Sequence, residues 1–342
     1  MRRTGSGRVG LLVALLVVLV ASMSLGSVFA ASGDYPTKPI QVVVGWGAGG
    51  ITDRSARGVA PVAEKFLGQP WVVTNMPGAA GAIGAAHVLR QNPDGYTLLF
   101  GSETMSIWQL MGLSEYSYKD FEPIMLCTQG VPAIAVNASR PWRTVQEFVE
   151  YAKANPRKIK LGIAGPATTG AVAAAILHKC LGTELSNIAF EGGGPAVTAA
   201  LGGHVDVVME NLPDVVEHHK AGKLRILAIF DNERMETLPD VPALGEIYAG
   251  TRNYLPYGPY FGLFAPKGVP AAVVSTLTDA MKKTVADPRW QQYVRDGYFR
   301  SLALSGEEAR KYLDEWTAQT AWLIYDLGVA KKSPEELGIP KP

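Results

Sequence analysis

The chain has 342 residues, 47% of them hydrophobic, which is enough apolar material for two domains of ordinary size. Its 32 lysines and arginines nearly cancel its 31 aspartates and glutamates, so the composition gives no basic surface for nucleic acid or an acidic membrane. The two cysteines, Cys127 and Cys180, could form one disulfide in an oxidising compartment or remain two free thiols.

The first thirty residues have the features of a secretory signal peptide. Arg2, Arg3 and Arg8 precede an uninterrupted apolar run over 11–20, and Ala30 ends a motif with small residues at the positions that signal peptidase recognises. We therefore predict cleavage after Ala30 and a periplasmic mature protein. The alternative is a retained membrane anchor, for which the run is short because a spanning helix needs about 20 residues.

The mature chain opens with alternating strands and helices. Residues 40–44 predict a buried parallel strand, and Thr52 or Asp53 is a suitable N-cap for a helix that ends near Leu67. The elements that follow are a strand over 71–74, a glycine-rich turn over 75–81, a helix to about 90 and a strand over 96–100. This order is typical of a doubly wound parallel sheet.

The pattern then restarts between about residues 125 and 250. Thr144 caps a predicted helix that ends near Asn155. Strands are predicted within 124–136 and over 159–164, 188–190, 205–209 and 224–230. A crossing strand over 257–265 and helices over 270–286 and 306–327 complete the chain. The sequence therefore predicts a second α/β unit and a largely helical C-terminal part.

The first glycine-rich turn satisfies the G-x-G-x-x-G spacing of a dinucleotide-binding turn through Gly45, Gly47 and Gly50. A Rossmann turn also needs an acidic residue at the end of the next strand, where this chain has Asn75. No G-K-[ST] element is present either. The residues therefore argue against a nucleotide.

Three glycine-rich turns, at 45–50, 78–81 and 165–170, each follow a strand and open a helix. In open α/β sheets this edge is where ligands bind, and such turns present backbone N–H groups beside the positive end of a helix dipole. The turns contain no lysine or arginine. They predict capture of a small anion by main-chain amides, and they favour a carboxylate over a phosphate or a nucleotide.

Enzyme motifs are missing from the sequence. There is no G-x-S-x-G elbow and no H-E-x-x-H, and the five histidines show no metal-ligand spacing beyond the adjacent pair His218 and His219. We therefore expect no catalysis, no cofactor and no metal site.

Four stretches resemble the extracytoplasmic solute receptors of the tripartite tricarboxylate transporters, also called Bug receptors. They read YPTKPIQVVVGWGAGGITDRSAR, NMPGAAGAIGAAHVLRQNPDGYTLLFGS, FEGGGPAVTAALGGHVDVVMENLPDVVEHHKAGKLRILAI and GLFAPKGVP. The resemblance covers nearly the whole mature chain. It implies a two-lobed periplasmic binding protein fold of the α/β class, type II-like, with a doubly wound, mostly parallel sheet in each lobe. It also implies that residues 31–128 and 255–342 form lobe 1 and that 129–254 form lobe 2.

The resemblance also implies which residues contact the ligand. They lie on two loops and a strand exit in lobe 1, and on a helix N-terminus and a strand exit in lobe 2. They are Trp46, Ala48, Gly49, Gly50, Asp53, Gly78, Ala79, Ala80, Gly81, Ser102, Thr104, Thr168, Thr169, Glu210 and Asn211. Glu210 takes a position often held by aspartate, and Trp46 one often held by phenylalanine.

Several of these residues have a structural alternative. Asp53 could only cap its helix or pair with Arg57 at i+4, and Trp46 could only pack in the core. Thr168 and Thr169 could be plain N-caps. Glu210 would repel a dicarboxylate unless it were protonated or faced an amine.

The function that the resemblance implies is capture of a small carboxylate by lobe closure, with hinges near 125–135 and 250–262. A monomeric receptor would deliver the ligand to multi-span membrane permease subunits. The alternative is a periplasmic sensor that feeds a signalling system. Citrate-like, dicarboxylate, amino-acid and aromatic carboxylate ligands all remain open.

Overall fold

The computed structural model describes residues 35–165, 167–190 and 192–342. The predicted signal peptide and its cleavage site therefore lie outside the described residues. Among the helices in these ranges, none combines the length and apolar character that crossing a bilayer requires.

The N-terminal third of the described chain alternates strands and helices as the sequence predicts. In chain order the elements are β1 (Ile40–Val44), α1 (Ile51–Leu67), β2 (Trp71–Asn75), α2 (Ala82–Leu89), β3 (Thr97–Ser102) and β4 (Phe121–Gln129). Short 3-10 turns precede α2, follow β3 and precede β4, over 79–81, 103–106 and 118–120.

The middle of the chain repeats this alternation. It contains β5 (Pro132–Asn137), α3 (Val145–Ala154), β6 (Lys160–Ile163), α4 (Thr169–Leu181), β7 (Ser186–Ala189), α5 (Gly193–Leu201), β8 (Val207–Asn211), α6 (Leu212–Lys220), β9 (Leu224–Ile229) and α7 (Leu244–Ile247). The C-terminal part contains β10 (Tyr260–Pro266), α8 (Ala271–Ala286), α9 (Pro288–Asp296), β11 (Arg300–Leu304) and α10 (Gly306–Asp326).

The strands form two separate sheets, one in each lobe. The first has the order β11-β4-β10-β3-β1-β2, and the second has the order β7-β6-β8-β5-β9. Each is built on three parallel strands, β1 to β3 in one and β6 to β8 in the other. Antiparallel strands join each parallel core, namely β4, β10 and β11 in lobe 1 and β5 and β9 in lobe 2. The two-lobed α/β fold class is confirmed, and both sheets are mixed.

Local sequence explains two of the helix starts. Thr144 caps α3 with a full capping box in which Glu147 reciprocates, as the sequence predicts. The N-cap of α1 is Gly50, however, and not Thr52 or Asp53. The helix starts earlier because the Asp53 carboxylate reaches back to accept from the backbone N–H of Gly49 at 2.8 Å.

The chain passes between the lobes twice, and the two crossings touch. Gly130 follows β4 and donates its N–H to the carbonyl of Pro259, 2.8 Å away and just before β10. A Cβ at Gly258 would lie 1.9 Å from the Gly130 carbonyl oxygen, so only glycine permits this approach. We call this contact between Gly130 and residues 258–259 the waist. The single strand expected within 124–136 is therefore two strands, β4 and β5, in different sheets.

The last helix, α10, packs against β4 of lobe 1 and α4 of lobe 2. The indole N–H of Trp316 donates to the Gly258 carbonyl at the waist, 2.9 Å away. Lys179 of α4 pairs with Asp326 at 2.8 Å. The helix thus spans both lobes behind the waist.

Apolar side chains fill both faces of the first sheet. Val42 and Phe100 pack on one face beneath α1, α8 and α9, and Val43 lies on the other face in a cluster that continues through Tyr260 into lobe 2. Both cysteines are free thiols in this fold. Burial raises the pKa of the Cys127 thiol to about 12.

Candidate functional site

Two glycine-rich loops lie against each other at the carboxyl edge of the first sheet. We call residues 45–50, after β1, the first loop and residues 78–81, after β2, the second loop. Because β1 and β2 are parallel neighbours, both loops emerge on the same side. A Cβ at Gly45 would lie 2.6 Å from the Cα of Gly81 and 2.7 Å from its carbonyl oxygen. Glycine at position 45 is therefore what allows the loops to meet.

The buried carboxylate of Asp53 holds the first loop in place through hydrogen bonds. Its carboxylate is 2% exposed and accepts from the Gly49 N–H, from Arg57 Nε at 3.0 Å and from Asn75 Nδ2 at 2.8 Å. Burial alone raises the pKa of this carboxyl, but these hydrogen bonds and the Arg57 charge lower the pKa below its usual value overall. The predicted pairing with Arg57 is confirmed. Contact of Asp53 with a ligand stays a prediction.

The second loop has an unusual backbone. Residues 78 to 81 all have positive φ, with φ of 47° at Ala79 and 51° at Ala80. A left-handed conformation costs a non-glycine residue about 1–2 kcal/mol. It persists here because Thr104 Oγ1 and Trp108 Nε1 both donate to the Ala80 carbonyl, at 2.9 and 2.8 Å.

Both loops carry backbone amides for which no acceptor is found in the described part of the chain. They include those of Gly47 and Ala48 in the first loop and those of Ala79 and Ala80 in the second. Gly47, Ala48 and Ala79 are exposed and Ala80 is half-buried, so water or a ligand can reach them. Free amides on two touching loops are suited to bind one anion.

Side chains from the exit of β3 complete this half of the site. Trp46 Nε1 donates to Ser102 Oγ at 3.1 Å, and the hydroxyl oxygens of Ser102 and Thr104 are 3.4 Å apart. Together with Trp108, these residues line a cavity of about 10 Å³, which is space for one water molecule. The structure therefore brings all the predicted lobe 1 residues into one region.

The lobe 2 residues surround the N-terminus of α4. Thr168 is the N-cap of this helix, but its hydroxyl donates to the Gly165 carbonyl at 2.9 Å instead of accepting from the first turn. Thr169 is buried in that first turn. Asn211 is buried near the waist, where its Oδ1 has no partner in the described chain and crowds Gly130.

Glu210, at the end of β8, is buried between two helix N-termini. A Cβ at Gly193 of α5 would lie 3.0 Å from its Oε2, and one at Gly170 of α4 would lie 3.8 Å from its Oε1. The side chain is 5% exposed, and Oε1 has no hydrogen-bond partner among the described residues. Burial, and secondarily the charge of Asp214, raise the pKa of Glu210 to about 8.

Sequence analysis missed three residues of this region: Glu103, Trp108 and Tyr257. Burial raises the pKa of Glu103 to about 7. The pKa of the buried Tyr257 hydroxyl is raised by burial and then by the charges of Glu103 and Glu210. The tyrosine therefore lies near carboxyls from both lobes. Glu103 stands between Ser102 and Thr104 and could have been included on that ground, whereas nothing in the sequence pointed to Tyr257.

One ion pair joins the lobes beside this region. Arg54 of α1 lies 3.3 Å from Asp214 of α6, with side chains 46% and 29% exposed. Each partner belongs to the helix that follows a site-bearing strand. The pair therefore connects the two lobes directly next to the residues described above.

Comparison with known proteins identifies the family. Residues 55–329 match the model of the tripartite tricarboxylate transporter family receptor. A Cupriavidus necator protein, the UPF0065 protein in the gbd 5' region, is 32% identical over 333 residues, covering 96% of this chain and 99% of its own length.

Solved structures similar to this chain support the same family. The periplasmic binding protein BugD is 31% identical with a TM-score of 0.75, covering 87% of this chain and 100% of its own. Rpa4515 of R. palustris, solved with adipate, is 26% identical with a TM-score of 0.74, covering 87% of this chain and 99% of its own. The chain therefore belongs to the solute-binding receptors of the tripartite tricarboxylate transporter family, the group of the Bug proteins, and not to a family of enzymes.

Proposed function

We propose that the protein is a periplasmic receptor that captures a small organic anion by its carboxylate and delivers it to a tripartite tricarboxylate-type membrane transporter. The observation that carries the proposal is the contact between the first and second loops, which both carry free amides and contain no lysine or arginine. The adipate bound to Rpa4515 supports a carboxylate ligand for this fold.

Hydrogen bonds from the loop amides can supply the binding free energy that a receptor needs. A charge-assisted hydrogen bond to a carboxylate contributes about 1.5–3 kcal/mol, and a micromolar site requires roughly 8 kcal/mol. Three or four such bonds, reduced by the cost of ordering the ligand, reach this range. The cavity beside Trp46 and Ser102 can add a bridging water.

Capture would proceed by closure of lobe 2, residues 129–254, onto lobe 1, residues 31–128 and 255–342. The waist provides the hinge, because both crossings pass through it within a few ångströms. Closure would bury the ligand between the first and second loops on one side and Thr168, Thr169, Glu210 and Asn211 on the other. It would also present a composite surface of both lobes to the permease.

The test uses residues 31–342 as the mature chain. Thermal shift with a panel of organic acids should find at least one that stabilises the protein by about 2.7 kcal/mol when present at 100 times its Kd. Uptake of that acid by cells should then require both this chain and the multi-span membrane subunits encoded with it. Stabilisation by nucleotides and by no organic acid would refute the proposal.

A further inference from the structure

The two sides of the cleft differ in what they offer a ligand. The lobe 1 side has free amides, and the Asp53 carboxylate beneath the first loop is paired with Arg57. On the lobe 2 side, the N-termini of α4 and α5 already face a carboxyl of the protein itself, that of Glu210. A second ligand carboxylate would have to approach this group at close range.

Glu210 also lacks the partner that a buried carboxyl normally has. Glu210 is 5% exposed, and its Oε1 has no hydrogen-bond partner in the described chain. Its near neighbours Gly193 and Gly170 are glycines and have no side chain to pair with it. Carboxylates are rarely buried unless they are paired. The missing partner is therefore a group that a ligand could supply.

The charged groups around Glu210 make this end of the cleft acidic. The charge of Asp214 in α6 acts on Glu210, and the charges of Glu103 and Glu210 both act on the buried Tyr257 hydroxyl. Arg54 of α1 reaches this neighbourhood and is engaged with Asp214. An ammonium group would favour the ionised form of Glu210 and gain an ion pair, whereas a second carboxylate would favour the protonated form and gain none.

We propose that Glu210 is a specificity-determining residue that selects ligands with a cationic nitrogen in addition to the carboxylate, so that the receptor binds amino carboxylates in preference to dicarboxylates. The carboxylate occupies the free amides of lobe 1, and the ammonium group donates to Glu210. This inference rests on the proposed function, because it assumes that the first and second loops bind the carboxylate.

The test is isothermal titration of residues 31–342 with matched ligands. The amino carboxylates run from 2-aminobutyrate to 6-aminohexanoate, and each is compared with its des-amino acid and with the diacid of the same chain length. We expect an amino carboxylate to bind most tightly. Glu210→Gln should weaken it at least about 30-fold, because it removes one partner of a buried ion pair. The affinity of the variant for the des-amino acid should change much less than its affinity for the amino carboxylate, and its circular dichroism spectrum and urea midpoint report whether the fold is intact.

Two further variants serve as controls. Glu217→Gln makes the same change on the exposed side of α6, where Glu217 pairs with Lys220, and should behave as the wild type. Since ionised Glu210 is the binding form, Kd for the amino carboxylate should fall about eightfold from about pH 7 to 8.5, as the group loses its proton. This pH dependence should persist in Glu103→Gln and disappear in Glu210→Gln.

The inference would be overturned if the diacid bound more tightly than the amino carboxylate and Glu210→Gln kept or improved that binding. The receptor function would still stand. An amino carboxylate whose affinity Glu210→Gln does not change would overturn it equally. Binding of no carboxylate of any kind would instead overturn the proposed function, and the inference with it.

Discussion

Substitution of Gly45 by alanine should separate the first and second loops. The added Cβ would lie 2.6 Å from Gly81 Cα and 2.7 Å from its carbonyl oxygen, whereas carbon atoms pack at about 3.5–4.0 Å. Both neighbours are backbone atoms that no side-chain rotation can relieve, so the loops must move apart by about 1 Å. Overpacking of this kind costs about 1–3 kcal/mol of unfolding free energy.

The same displacement should weaken ligand binding. A ligand carboxylate spanning both loops would lose its hydrogen bonds to one loop, and the loss of about two such bonds corresponds to about a 100-fold rise in Kd. Urea denaturation and isothermal titration measure the two effects. The matched stability control is Gly47→Ala, two residues away, whose Cβ would meet nothing within 4 Å. If Gly45→Ala unfolds within about 0.5 kcal/mol of the wild type and keeps its affinity, the loops do not depend on this contact.

Three other changes test other parts of the argument. Arg54→Gln removes the ion pair with Asp214 and should raise the Kd for the ligand only a fewfold, because exposed ion pairs contribute at most about 1 kcal/mol. At high salt, the Kd of the wild type should equal that of the variant. Asp53→Asn should make the unfolding free energy fall less steeply as the pH is lowered, which acid denaturation curves measure. The pKa of Asp53 is lower in the folded state than its ordinary value of 3.8, so the ionised carboxylate stabilises the fold above pH 3.8 and loses this effect as the pH falls through the folded-state pKa. Trp316→Phe removes the shorter of two hydrogen bonds to the Gly258 carbonyl at the waist and leaves the one from Gln129 Nε2 at 3.4 Å. It should lower the unfolding free energy by about 1 kcal/mol, and a urea midpoint equal to that of the wild type would contradict this.

Local signals in the sequence were sufficient for most of the elements. Residues 40–44 form β1 as predicted, and the Thr144 capping box starts α3 as predicted, because each depends on neighbours within a few positions. The glycine turns were also identifiable, since glycine relieves backbone crowding wherever a strand turns into a helix. The periodicity of 124–136 could not reveal that the run changes sheets at Gly130, because buried strands of either sheet have the same apolar character.

Long-range packing determined what sequence analysis missed. Helix α9 and strand β11 were not predicted: α9 follows Asp287 directly, and β11 alternates half-buried and exposed residues at the edge of a sheet. In the candidate site, the roles of Trp108 and Tyr257 depend on contacts with residues far away in the chain, such as the Trp108 bond to Ala80. A single sequence carries no record of such pairings.

Helix α10 has a consequence for how far the cleft could open. It is attached to Gly258 through Trp316 and to lobe 2 through the Lys179–Asp326 pair, so it acts as a brace across the back of the molecule. Rotation of the lobes away from each other would leave α10 stationary relative to one lobe and shear it against the other. Small rotations would strain ion pairs between the lobes, such as Lys179–Asp326 and Arg54–Asp214, whereas large ones would also have to slide α10 over α4. The brace therefore opposes wide opening of the cleft, because α10 would have to leave its packing against α4.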